Sequence, residues 1–181
     1  MQLIRINISI ELTAGVMEHL LQTENEFIAK VSELRKEFQG TRESSREIYI
    51  VRIKPEAFSD QRAKAKRTFP SENFPPLVEN PLGFVYVGLT SITAEQRFEI
   101  HKDKLPKASR IAKMGFLLDG AYQEVGKDLT ENYGFKEVGW RDKKPEKLES
   151  WVAWNFYKMG YWVWGSHHHD DEDFLGTEPF D

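Results

Sequence analysis

The chain has 181 residues, of which 40% are hydrophobic, 30% charged and 13% aromatic, a balance that suits one soluble globular domain and excludes a disordered or fibrous chain. It contains no cysteine, which excludes disulfides, thiolate metal sites and cysteine nucleophiles. No apolar run reaches the roughly 18 residues of a membrane span, and the N-terminus lacks a signal-peptide core, so a cytoplasmic protein with no membrane partner is expected. The formal net charge of −4 is uneven: six of the 29 acidic residues lie in the tail from His167 to Asp181, which has no Lys or Arg, and outside it 25 basic residues face 23 acidic ones, a balance that permits a phosphate-backbone partner.

In chain order, residues 3–10, "LIRINISI", alternate apolar and polar side chains, the period-two pattern of a half-buried strand. From Ala14 to Gln39 the residues Val16, Leu20, Phe27, Val31, Leu34 and Phe38 recur at mostly helical spacing, with Gly40 as the stop; this predicts a long amphipathic helix that packs on a core or pairs with a second subunit. "EIYIVRI", from Glu47 to Ile53, and "GFVYVGL", from Gly83 to Leu89, are rich in β-branched and aromatic residues and read as strands. About 30 residues separate them and carry Pro55, Pro70, Pro75, Pro76 and Pro81, the mark of a long functional loop. Within it, Arg62, Lys64, Lys66 and Arg67 place four cations in seven residues, a candidate phosphate-contacting segment.

"TAEQ", from Thr93 to Gln96, matches a capping box, so a helix starts at Ala94 and ends before Pro106. Arg97 and His101 then stand one turn apart on the same face. Lys102, Lys104, Lys107, Arg110 and Lys113 follow as a second basic run. Late in the chain Leu148, Val152 and Phe156 form the stripe of another helix with Glu149 in its first turn, Gly160 ends it, and an aromatic strand spans Tyr161 to Trp164. The last residues, from His167, read as an acidic tail in which three histidines and four carboxylates are adjacent along the chain but too divergent to close a metal site.

A strand tyrosine, an arginine and a histidine on the next helix, and a glutamate on a later helix suit phosphodiester hydrolysis. The glutamate can hold a hard cation such as Mg²⁺, the guanidinium can stabilise charge on a phosphate, and water is the nucleophile. Taken together, "EIYIVRI", "FVYVGLTSITAEQRFEIH" and "ESWVAWNFYKMGYWVWG" resemble the GIY-YIG nuclease superfamily, most closely its small stand-alone bacterial members. The resemblance implies an α+β fold: a small, largely antiparallel β-sheet flanked by helices, preceded here by an N-terminal strand and long amphipathic helix. It divides the chain into an arm over 1–46, a nuclease-like domain over 47–166 and the tail over 167–181.

The resemblance also implies a metal-dependent DNA endonuclease with Tyr49, Tyr86, Arg97, His101 and Glu149 as catalytic residues and Mg²⁺ or Mn²⁺ held on Glu149. RNA remains an alternative substrate. A non-catalytic nucleic-acid binder, or an adaptor that forms a homodimer through the N-terminal helix, are the alternative functions. Three departures from the superfamily pattern stand out: the long segment between the tyrosine strands, Glu47 in place of the first motif's leading glycine, and no clear match for the asparagine that many members carry after the catalytic glutamate.

Overall fold

A computed structural model describes residues 2–37, 46–53, 82–103, 126–138 and 145–164. In chain order these form α1 (Gln2–Glu37), β1 (Arg46–Arg52), β2 (Phe84–Thr90), α2 (Ala94–Lys102), α3 (Lys127–Tyr133), β3 (Phe135–Val138), α4 (Pro145–Lys158) and β4 (Trp162–Trp164). The four strands make one sheet in the order β3-β1-β2-β4. β1 is antiparallel to both β2 and β3, and β4 joins the outer side of β2 in parallel. The architecture is therefore α+β, with an antiparallel three-stranded centre and one parallel edge.

The sheet separates two environments because successive strand residues face opposite ways. On one side Ile48, Ile50, Val85 and Val87 join Phe27, Val31 and Leu34 of α1, Leu129 and Tyr133 of α3, and Leu148, Val152 and Phe156 of α4 in a single apolar cluster. The last three follow the stripe expected from their spacing. On the other side Tyr49, Val51 and Tyr86 lie outside that cluster, where Ala94, Phe98 and His101 are the buried residues of α2.

The N-terminal strand expected over residues 3–10 is not there: the same residues form the start of α1, one helix 36 residues long. Over so short a stretch alternation also places Ile4 and Ile8, and Ile6 and Ile10, four apart, which is a helical neighbour spacing. A helix satisfies its own N–H and C=O groups, whereas a strand needs a ladder partner. The other end of α1 belongs to the domain core. Arg35 donates to the carbonyls of Glu131 (2.6 Å) and Gly134 (2.6 and 2.9 Å), closing the C-terminal end of α3, and Tyr133 donates to Glu24. Phe27 and Val31 are buried in this chain's own core.

Both flanking strands are short, and side chains continue their work. β3 reaches β1 only as far as Ile48, paired with Phe135. Two residues on, the Thr130 hydroxyl accepts from the Ile50 N–H and donates to the Ile50 carbonyl, each at 2.9 Å. One hydroxyl so satisfies a buried donor and a buried acceptor. Thr130→Val keeps the shape and removes both bonds, and is expected to cost about 2–4 kcal/mol in urea unfolding, against under about 1 kcal/mol for Thr130→Ser.

Candidate active site

Tyr49 is the centre of the polar cluster on the α2 side. Its ring lies across from Gly88 in the β1–β2 register, while Tyr86 pairs with Val51, so both tyrosines rise from the same face. The space above Gly88 is filled by these rings: a Cβ there would come within 2.7 Å of Tyr49 Cζ and Oη and of Tyr86 Cε1. The glycine of the second motif is what lets the two phenols converge.

α2 brings the other members. Its capping box is complete, with Thr93 Oγ1 accepting from the Gln96 N–H and Gln96 Oε1 from the Thr93 N–H, each at 3.2 Å. The residue at which the helix begins is thereby set, and Arg97 and His101 face the sheet. Tyr49 Oη lies 2.6 Å from His101 Nε2, and Tyr49 also shares hydrogen bonds with Tyr86 and Arg97. A guanidinium can only donate, so Tyr49 accepts from Arg97 and has a single proton to give to Tyr86 or His101. The rings of Tyr86 and His101 meet edge to face at 5.5 Å. Together the four residues form a short hydrogen-bonded chain along which a proton can pass from Tyr86 to Tyr49 to His101.

Burial sets the protonation states. It holds the Tyr49 phenol well above its ordinary pKa, with Tyr86 adding to the effect and Arg97 opposing it. It also pushes His101, 3% exposed, down to about 4, helped by the adjacent Arg97 charge. At neutral pH His101 is therefore an uncharged acceptor or donor. This has a stability consequence. The unfolded chain binds a proton near 6.5 and the folded chain only near 4, so the contribution of neutral His101 is full above 6.5 and is lost as the pH falls toward 4. A decline on the order of 2–3 kcal/mol across that window is expected from denaturant midpoints, and His101→Gln removes this component.

Glu149 lies on α4, which packs on the sheet's other side. β4 pairs with β2 only up to Tyr86 and Trp164 among the described residues. Three residues further, the Leu89 N–H donates to the Glu149 carboxylate. Glu149 is 8% exposed, and burial pushes its carboxyl up to about 8; Glu146 adds to this, while the Leu89 hydrogen bond and Arg46 oppose it. A buried carboxylate with so little compensation suits a divalent cation that keeps most of its waters. Among the described residues no group of three or more His, Asp or Glu side chains gathers to ligate a metal. No protein-family model, curated protein or solved structure matches this chain.

Of the expected nucleic-acid-binding residues only Lys102 lies within the described part, exposed at the end of α2 with its Nζ 3.0 Å from Glu99. Arg62, Lys64, Lys66, Arg67, Lys104, Lys107, Arg110 and Lys113 lie outside the described residues, as does the tail after Trp164. Sequence reasoning passed over Thr130 and the whole α3–β3 unit, although Gly134 and the strand-like "FKEV" behind it were a usable signal. It also had no role for Glu47, whose Oε2 accepts from the Ala94 N–H at 2.9 Å.

Proposed function

We propose that this protein is a metal-dependent endonuclease of the GIY-YIG type that hydrolyses DNA phosphodiester bonds in the cytoplasm. The observation that carries the reading is the Tyr49–His101 contact of 2.6 Å within a cluster that also holds Tyr86 and Arg97, residues drawn from two strands and a helix. Four polar groups linked through Tyr49 on one face of a small sheet are costly to bury and do nothing for packing that apolar residues would not do better. They make sense as a device for moving a proton beside an anion.

In this mechanism water attacks phosphorus, and its proton goes to Tyr86 and on through Tyr49 to His101, which is neutral and able to receive it. Arg97 donates to the phosphate oxygens as negative charge builds on them. The P–O bond to the leaving sugar oxygen breaks, and that oxygen takes a proton from solvent. Glu149 would hold Mg²⁺ or Mn²⁺, which supplies Lewis acidity toward the phosphate and lowers the pKa of a bound water. Glu47, the departure from the first motif, has its carboxylate engaged at the start of α2.

The test is cleavage of supercoiled, linear and branched DNA, and of RNA, with Mg²⁺ or Mn²⁺. Arg97→Ala is expected to lower kcat by about 10²–10³-fold, the usual loss on removing a charge-stabilising donor. Metal-dependent DNA binding without any cleavage would replace the nuclease by a non-catalytic binder. Neither cleavage nor binding would discard the nucleic-acid reading altogether.

A further inference from the structure

Arg46 and Glu47 open β1 and, as neighbours on a strand, point to opposite faces of the sheet. Arg46 Nη1 lies 3.0 Å from Glu146 Oε1 in the first turn of α4, the helix of Glu149. Glu47 Oε2 accepts from the Ala94 N–H at 2.9 Å in the first turn of α2, the helix of Arg97 and His101. Two adjacent residues thus tie the same strand to both helices that supply the candidate site.

The Glu47 bond is more than a helix cap. A helix leaves its first N–H groups unpartnered, but the Thr93–Gln96 capping box is already complete within α2. What Glu47 adds is a tether between the helix start and a strand residue 47 positions earlier. It lies two residues before Tyr49 on the same strand and face, so it references the helix to the strand that carries the central phenol. Seen from Ala94, Arg97 is under one turn away and His101 two turns away. A small pivot at the helix start is therefore magnified at the His101 ring, where a 2.6 Å contact tolerates little movement.

We propose that Glu47 is a positioning residue of the candidate active site: its carboxylate fixes the start of α2 so that Arg97 and His101 meet Tyr49. For catalysis this rests on the nuclease reading; for geometry it does not. Two measurements on the full chain separate the two. The first is the NMR titration of His101, whose neighbours in the cluster are Tyr49, Tyr86 and Arg97. Its midpoint of about 4 depends on burial beside those groups, and Glu47→Ala is expected to raise it by at least about one unit toward the ordinary value. Glu47→Gln, which keeps an acceptor oxygen, is expected to restore it. The second is steady-state cleavage, where Glu47→Ala is expected to lower kcat roughly 10- to 100-fold with KM within about twofold, and Glu47→Gln to recover most of the rate.

Ala94→Pro probes the same bond from the donor side. Proline is favoured at the first position of a helix, and Thr93 already has the extended conformation (φ −63°, ψ 153°) that a residue before proline adopts. It should reproduce the Glu47→Ala shift, and the double variant should add little to either single one. A His101 midpoint and a kcat both unchanged in Glu47→Ala and in Ala94→Pro would overturn the proposal. A wild-type protein that cuts nothing, with His101 still moving in both variants, would uphold the positioning role and end the nuclease reading.

Discussion

Replacing Glu149 by Gln is expected to reduce cleavage by at least about 10³-fold and, at the same time, to make the folded protein more stable at alkaline pH. The first effect follows from removing the carboxylate charge proposed to hold the cation. The second follows from where that charge sits. Burial pushes the Glu149 carboxyl up to about 8, whereas an unfolded glutamate titrates near 4.3. Between those values the native state binds more protons than the unfolded one, so stability falls as pH rises through the window and stays low above it. Gln keeps an oxygen for the Leu89 N–H and never ionises. The gain should be on the order of 2–4 kcal/mol at pH 9 and vanish near pH 4. Melting curves of both proteins at these two pH values, with and without Mg²⁺, check it. Wild type should gain stability from Mg²⁺ at pH 9 and the Gln variant should not. Equal stability of the two at pH 9 would show that the carboxylate is well compensated without an ion.

Gly88→Ala is the second large effect, and it acts by space alone. The residue lies within β2, where a side chain is ordinarily welcome. Its Cβ, however, would fall 2.7 Å from atoms of both tyrosine rings, a distance that forces the rings apart. Overpacking of this kind costs about 1–3 kcal/mol. The functional loss should be larger, over about 100-fold in kcat, because Tyr49 cannot move away from Gly88 and keep its place against His101 and Arg97. Gly83→Ala serves as the control: its Cβ would come 3.1 Å from the Tyr161 ring, away from the polar cluster, and should leave the rate within about twofold. A His101 titration restored toward 6.5 in Gly88→Ala would show directly that the cluster had opened.

Tyr86, Arg97 and His101 were legible in the sequence from the strand and helix that carry them, whereas Tyr49 was named only through the resemblance to the GIY-YIG superfamily. Tyr49 and Tyr86 alternate with Ile48, Ile50, Val85 and Val87, and the Thr93 capping box sets the phase of the helix that carries Arg97 and His101. Glu149 was legible as a helix residue beside the Leu148–Val152–Phe156 stripe. Its contact with Leu89 was not, because nothing local says how far β4 will run along β2. Thr130 and Glu47 were missed for the same reason. Each bonds backbone from a distant part of the chain, 80 residues away for Thr130 and 47 for Glu47, and a single sequence carries no record of such pairings. The N-terminal segment failed differently. "LIRINISI" satisfies two periodicities at once, and only the choice between ladder and self-contained hydrogen bonding decides for helix.

The docking of α1 bears on how such a chain can be assembled and trimmed. Phe27, Val31 and Leu34 are among its most deeply buried residues, each 3% exposed or less, and Arg35 closes the end of α3. The helix is therefore a wall of the domain as well as a leading segment. A cut placed after residue 46, where the motif-bearing sequence begins, would strip Phe27, Val31 and Leu34 from the apolar cluster. Recombination that swapped the front of this gene for another would have to bring a helix with the same apolar triad, or the cluster that backs the sheet would lose one of its walls. The boundary drawn by motifs and the boundary drawn by packing do not coincide, and it is the second that a fusion partner or a shortened version must respect.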